Sequence, residues 1–413
     1  MKKTNYSPHN IIVAIDVGTT KICVLIAHKV TQDHCEIIGI GRTPSLGLER
    51  GVIVDVGPAI QSIKTAVHEA ELMAGFTVES AYIGISGAHI HAHNSTGMVP
   101  IKHGDIRPDD VTRVINAAQS IPLAEGEKIL HVMPQLYTID GHQQVRDPIG
   151  MHGVRLEAQV HIITGGVTSV QNLVRCCESA GVKVRDIVLE PIASAEAVLS
   201  ADERELGVGM LDIGGGTADF AVYQKGSIRH THIFPIAGNL FTSDIALCLR
   251  ITRADAERIK REYATVNPTP EQLQQQIQVK MVDGTTTKTV SCHELSAVVS
   301  ARSEELLLRL HHEIATFKLA QFMPAGLVIT GGGSLLQGLA QQSEKILDLS
   351  TRIGQTRAYA AFHEEISNPS YATGYGLVLY ALKKERKAEE NTNSGPMITK
   401  VFWKMKSWIA DFF

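Results

Sequence analysis

Asp16-Val17-Gly18-Thr19-Thr20-Lys21 and Asp212-Ile213-Gly214-Gly215-Gly216-Thr217-Ala218-Asp219 are two versions of one phosphate-loop signature. IIVAI precedes the first and ICVLIA follows it, while GVGML and FAVY flank the second. Short apolar runs around a glycine-bearing turn predict a buried β-hairpin, and its recurrence predicts a duplicated unit. Glycine lets backbone N–H groups approach phosphate oxygens closely, and the Thr hydroxyls and Lys21 add donors and one positive charge. Asp16 and Asp212 would repel phosphate directly, so their fitting partner is Mg²⁺, held through water and bridging the phosphate tail. Two facing hairpins would form a clamp. The ordinary P-loop, G-x-x-x-x-G-K-[ST], does not occur, and TGGGSLLQGL at 330–339 does not match it. Either Asp-Gly turn alone also reads as a plain hairpin turn; the pair carries the reading.

The chain has 413 residues, room for two or three domains, with 44% apolar and 20% charged residues. A net charge of −4 and no concentrated basic face argue against nucleic acid as a partner. Cysteines 23, 35, 176, 177, 248 and 292 show no C-x-x-C pair, which suits reduced thiols in a cytoplasm. The opening MKKTNYSPHN-IIVAIDVGTT resembles a signal peptide only superficially: Asp16 breaks the apolar stretch, and the segment reads as a first strand. Since no stretch reaches the 18 or so apolar residues that span a bilayer, membrane contact would be peripheral.

Pro58 opens a helical pattern in which Ile60, Ile63, Val67 and Leu72 recur, and Gly75 ends it. Residues 86–163 have their own mixture of strands and a helix near DDVTRVINAAQS, which predicts an inserted α/β subdomain. His89, His91 and His93 alternate there, but nothing completes a metal-ligand spacing, and exposed strand side chains are the expectation. A second round of helix, strand and helix then leads into the second hairpin. Beyond it come a helix at RADAERIKREYA, a hairpin turning at Asp283-Gly284, and a long helix begun by the capping box of Ser291 and Glu294. GLVITGGG is a strand running into a glycine turn that opens onto a helix, a place where backbone N–H groups meet a ligand. KKERKAEENTNSGP, at 383–396, predicts a disordered tether.

These motifs resemble the actin/Hsp70/sugar-kinase ATPase superfamily and, within it, the FtsA family of bacterial cell-division actin homologues. DVGTTK and LDIGGGTAD look like the two phosphate motifs, TGGGSLLQGL like the adenosine motif, and LEPIASAEAVL and NPSYATGYGLVLYAL like the two helices that connect the lobes. SGAHI, GMVPI, LHVMPQLYTID and GVRLEAQVHIIT resemble the 1C subdomain that distinguishes FtsA from actin and MreB. The resemblance implies an α/β, duplicated actin-like fold with two lobes around a nucleotide cleft. Subdomain 1A would comprise 1–85, 164–190 and 366–382; 1C, 86–163; 2A, 191–240 and 312–365; 2B, 241–311. A linker at 383–396 and an amphipathic helix at 397–413 would follow.

It further implies that ATP is the nucleotide. Asp16, Gly18, Thr19, Thr20 and Lys21 would meet Mg²⁺ and the phosphates from one lobe, with Asp212, Gly214, Gly215, Gly216 and Thr217 facing them from the other. Gly331, Gly332 and Gly333 would border the adenosine. Glu257 and Lys260 are candidates for ribose and base, against the alternative of an i,i+3 ion pair on a solvated helix face. Glu190 stands where relatives carry the glutamate that orients the attacking water; an acid favoured at a helix N-terminus is the alternative. Hydrolysis would be slow at most.

In MITKVFWKMKSWIADFF, Val401, Phe402, Met405, Trp408, Ile409 and Phe412 recur at helical spacing, with Lys400 and Lys404 among them. Aromatic bulk and lysines on a short helix describe an interfacial segment attracted to anionic lipid. At about 25 Å, with four charges, it cannot span a bilayer. Docking on the protein's own core is the alternative, and the preceding polar tether disfavours it. The resemblance implies self-association into filaments and anchoring of FtsZ to the cytoplasmic face of the membrane at the division site. The FtsZ tail would dock on 2B, with Arg302 and Arg309 as contacts for an acidic peptide or else as solvated-face charges; later division proteins would meet 1C. The competing function is a soluble ATPase or small-molecule kinase of the same superfamily.

Overall fold

The two phosphate hairpins lie at the centres of two sheets with the same strand order. The computed structural model describes residues 7–356 and 363–393. Ile11–Val17 pairs antiparallel with Lys21–Lys29, which pairs antiparallel with Cys35–Pro44. On its other edge Ile11–Val17 runs parallel to Ser80–Ile85, and that strand parallel to Lys183–Leu189. The second sheet repeats the plan. Val208–Ile213, Ala218–Gln224 and Ser227–Phe234 are antiparallel neighbours, and Leu327–Thr330 and Thr351–Ile353 add two parallel strands. The duplication therefore extends from the loops to whole five-stranded sheets. Every residue of Ile11–Val17 and Val208–Ile213 is buried, as continuous apolar strands covered on both faces require.

The helix Val56–Ala74 covers the first sheet and ends at Gly75, whose φ of 64° lets its N–H return to Glu71 O. Its buried face is Ala59, Ser62, Ile63, Ala66, Val67 and Ala70, whereas Leu72, expected on that face, is 68% exposed. Small side chains line the contact with Cys35–Pro44, so the helix lies close to the sheet; Leu72, nine residues after Ile63, falls on the opposite side of the helix.

The insert leaves after Ser80–Ile85 and returns into the helix Val167–Ser179. Its sheet runs Ile90–Pro100, Arg155–Gly166, Glu127–Ile139, Gln143–Val145. Val111, Val114, Ile115 and Ala118 of the helix Pro108–Ala118 pack on Leu156, Ala158 and Val160 in a core separate from the lobes. The insert also reaches the edge of the second lobe. Gln135 Nε2 donates to Ile228 O at 2.8 Å, and the His161 ring lies 2.7 Å from Asn94 Oδ1 and 2.9 Å from Thr231 Oγ1.

A further small core joins the helices Gly238–Leu249 and Arg253–Tyr263 to the hairpin Gln276–Lys280/Thr287–Ser291 and the start of the helix Cys292–Thr316. The expected capping box is formed: Ser291 Oγ accepts from Glu294 N–H, and Glu294 accepts from Ser291 N–H.

Glu190–Val198 and Ala372–Asn393 pack against one another between the lobes. Their approach is so close that a Cβ on Gly376 would stand 1.9 Å from Ala193 O. Gly376→Val is expected to destabilise the chain by about 2 kcal/mol or more, measured by urea unfolding, because neither backbone can yield without parting the helices.

The tether expected at 383–396 is corrected in its first part: Ala372–Asn393 is helical to its end. The charges that suggested disorder are paired with the first lobe and with the connecting helix Glu190–Val198. Lys384 Nζ lies 2.6 Å from Asp186 and Glu389 lies 2.8 Å from Lys29 Nζ, while Lys383 meets Glu196 and Arg386 meets Asp33. The remaining linker residues and the amphipathic segment 397–413 lie outside the described residues. Among the described residues no helix is long and apolar enough to cross a membrane.

Candidate nucleotide-binding cleft

The tips of the two hairpins meet across the space between the lobes. A Cβ on Gly215 would fall 1.7 Å from Thr20 Oγ1, and one on Gly216 would fall 2.3 Å from Thr19 Oγ1, so only glycine permits this approach. Thr19 Oγ1 also accepts from Gly51 N–H at 2.9 Å. The second loop is tied from behind: Gly238 N–H donates to Gly214 O at 3.0 Å and Asn239 N–H to Gly215 O at 2.8 Å.

Four carboxylates gather beneath the loops. Asp16 and Asp212, expected to hold a metal through water, are both buried. Asp212 accepts from Ser194 Oγ and, at 3.1 Å, from Thr373 Oγ1, so both connecting helices reach it. Asp219 stands directly opposite Asp212 in the hairpin and accepts from Ser86 Oγ at 2.6 Å and from Thr217 Oγ1 at 3.3 Å. Glu190, half-buried, is the first residue of its connecting helix.

Burial pushes the Asp16 carboxyl up to about 6, with Lys21 opposing and Asp212 adding to the shift. It pushes Asp219 up to about 8, against the Ser86 and Thr217 hydrogen bonds and with Asp212 and Asp16 adding to it. Glu190 is raised well above the carboxylate range by burial and then by Asp16, Asp219 and Asp212. Asp212 is raised by burial, with Ser194, Thr373 and Lys21 opposing. So many buried acids suit a divalent cation, which would supply the missing charge.

Lys21 is turned toward the start of the second connecting helix: its Nζ donates to Ser370 O at 2.6 Å and sits 4.1 Å from the Tyr371 ring centre. Gly331, at φ 80°, adjoins Asp212, since a Cβ there would stand 2.2 Å from Asp212 Oδ1. Gly333 packs on Ile213, whereas Gly332 has open space with Ser370 Cβ at 3.8 Å. Lys260 Nζ lies 2.6 Å from Glu257 and donates to Gly238 O at 3.1 Å and Thr242 Oγ1 at 2.9 Å. The pair is thus both an i,i+3 ion pair and part of the wall behind the second loop.

Arg302 and Arg309 lie elsewhere, on Cys292–Thr316. Arg302 is committed within the fold, making contacts of 2.5 and 3.0 Å to Asp244 and a further one to Glu305, which leaves it poorly placed as a free contact for a peptide. Arg309 is 58% exposed beside Glu305 and lines an open groove with Phe234, Leu308 and His312.

Sequence reading missed Asp219, Ser86, Ser194 and Thr373. Asp219 was accessible through register, because the loop between the strands sets residues 212 and 219 opposite one another. The first hairpin has Cys23 opposite Asp16, so the duplicated loops are chemically unequal.

An acid whose folded pKa is raised makes the native state hold more protons than the unfolded one, so stability falls as pH rises from about 4 toward the folded value. Asp219→Asn is therefore expected to raise the stability of the nucleotide-free chain at pH 8 by at least about 2 kcal/mol and to leave it unchanged near pH 4. Thermal melts of both chains across that range would show the difference; equal pH slopes would refute it.

A family model described as "Cell division protein FtsA" matches residues 209–376, and one described as "SHS2 domain inserted in FTSA" matches residues 87–164. The cell division protein FtsA of Pseudomonas aeruginosa is 38% identical over 408 residues, covering 97% of this chain and 98% of that relative. That of Escherichia coli K12 is 33% identical over 412 residues, covering 98% of each. Among solved structures, the PilM–PilN type IV pilus biogenesis complex contains a similar chain, with a TM-score of 0.65 at 16% identity over 90% of this chain and 98% of that one. MreB5 of Spiroplasma citri bound to ADP gives 0.58 at 16% identity, over 95% of this chain and all of its own, 100%. These likenesses fix the fold as actin-like, and with near full-length relatives in hand the chain belongs to the FtsA family, the bacterial cell-division actin homologues.

Proposed function

We propose that this chain carries out the family's known role, FtsZ anchoring, as a Mg-ATP-bound polymer held peripherally on the cytoplasmic face of the membrane at the division site. The observation that supports this most is the set of three buried acids, Asp16, Asp212 and Asp219, with half-buried Glu190, beneath two touching glycine loops. Asp16 and Asp212 would hold Mg²⁺ through water, and the metal would neutralise phosphate charge. Gly18, Thr19 and Thr20 would offer donors to the phosphates from one lobe, and Gly214, Gly215, Gly216 and Thr217 from the other. Lys21 would swing from Ser370 O to reach them. Gly331, Gly332 and Gly333 would border the adenosine, with Glu257 and Lys260 toward ribose and base. Glu190, at the start of its connecting helix, would orient or deprotonate a water, and any hydrolysis would be slow.

Because Asp212 is bonded by both connecting helices, nucleotide binding would bias the angle between the lobes and so favour self-association. One tail binds anionic lipid weakly; a filament presents many, and avidity multiplies the attachment. For the acidic FtsZ tail, Arg309 in its open groove is the better of the two expected arginines. Later division proteins would dock on the insert. Membership of the FtsA family weighs against the kinase alternative. Co-sedimentation of the full chain and of a 1–396 truncation with anionic vesicles, with and without Mg-ATP, tests the reading. Nucleotide-enhanced pelleting that needs 397–413 supports it; equal pelleting of both chains would refute it.

A further inference from the structure

His230 and His232 are two apart on the edge strand Ser227–Phe234, so both face the helix Cys292–Thr316, where Glu313 lies opposite them. Both rings converge on one oxygen: His230 Nε2 lies 2.8 Å and His232 Nδ1 3.1 Å from Glu313 Oε1. Among the described residues this is the one set of three His, Cys, Asp or Glu side chains whose ligand atoms all lie within 4.8 Å of one another. Aromatic neighbours fix the rings. His232 lies 4.5 Å from the Phe234 ring centre and His230 4.7 Å from that of Phe317.

From this geometry we propose that His230, His232 and Glu313 form a Zn²⁺ site, strapping the end of the long helix to the edge strand. Two imidazole nitrogens and one carboxylate oxygen are a donor set that zinc accepts in tetrahedral geometry, with the fourth position left for water. Metal–ligand bonds of about 2.1 Å set tetrahedral ligand atoms about 3.4 Å apart, so insertion requires the His230 and His232 contacts with Glu313 to open by about 0.6 and 0.3 Å. The open side is a groove of about 570 Å³ lined by Phe234, Leu308, Arg309 and His312, which admits the ion and its water. His232, at 42% exposed, stands at the entrance, while His230 and Glu313, each at 12%, lie below it. The site lies outside the nucleotide cleft and uses none of its residues.

The test is equilibrium dialysis of the full chain, without a histidine tag and stripped by chelator, against Zn²⁺ in the presence of a reductant that keeps Cys248 reduced. One equivalent should bind, with a rise in thermal midpoint. His232→Ala and Glu313→Gln should each weaken binding at least about tenfold. His311→Ala, an exposed change on the neighbouring turn, should leave it unaltered. Co²⁺ in place of Zn²⁺ should give the visible absorption of a tetrahedral nitrogen–oxygen site without a thiolate band. His232→Ala removes a half-exposed ring and its contacts with Glu313 and Phe234, but Glu313 keeps His230 as partner, so its metal-free melting should stay close to the parent and separate lost binding from lost folding. Binding that survives both substitutions, or a thiolate band from cobalt, would overturn the proposal, as would failure of the parent chain to bind.

Discussion

Asp212→Ala is expected to weaken Mg-ATP binding at least about a hundredfold, a loss of about 3 kcal/mol. Three effects act together at this carboxylate. On the proposed function it would hold the metal; it accepts hydrogen bonds from the Ser194 and Thr373 hydroxyls, and its oxygen adjoins the glycine turn at Gly331. Asp212→Asn keeps an acceptor for the hydroxyls but removes the charge, and a comparable loss there would assign the effect to the cation rather than to the latch. The fold should persist in both variants, because removing one of several mutually repelling buried acids relieves the nucleotide-free chain. Calorimetric titration with Mg-ATP, set beside thermal melts, reads the result. Affinity within about threefold of the parent would contradict the site.

Trp408→Glu combined with Phe412→Glu is expected to abolish co-sedimentation with anionic vesicles. Each buried large apolar side chain contributes about 1.5–3 kcal/mol, and each lysine near an anionic surface about 1 kcal/mol. The double change removes two anchors and adds two charges of the same sign as the lipid, so affinity should fall by more than about a hundredfold. Polymer pelleting without vesicles should be unaltered. Undiminished vesicle binding by the double variant would place membrane attachment elsewhere on the molecule.

The two hairpins were legible because their signal is local: apolar runs of strand length around glycine turns. The capping box at Ser291 and the turn at Gly284 are local in the same sense. What the sequence hid was set by partners distant along the chain. Asp186, Glu196, Asp33 and Lys29 convert a charged tether-like run into the end of a docked helix, and nothing within 383–393 announces them. Leu72 is the exception, a misjudged period: nine residues after Ile63, it lies on the opposite side of the helix. The contacts of Lys21 with Ser370 O and the Tyr371 ring, some 350 residues later, have no local signal either. Ser86, Ser194 and Thr373 look like ordinary hydroxyls until the lobes bring them to Asp219 and Asp212. The contact of Gln135 and His161 with the second lobe's edge likewise depends on where the insert swings.

The most direct measurement is recruitment of a labelled FtsZ C-terminal tail peptide to a supported anionic bilayer by the full chain. The account predicts recruitment that requires Mg-ATP, is lost with Asp212→Ala, and is lost again when residues 397–413 are removed. Recruitment that ignores nucleotide and tail alike, or its complete failure with the unaltered chain, would contradict the account.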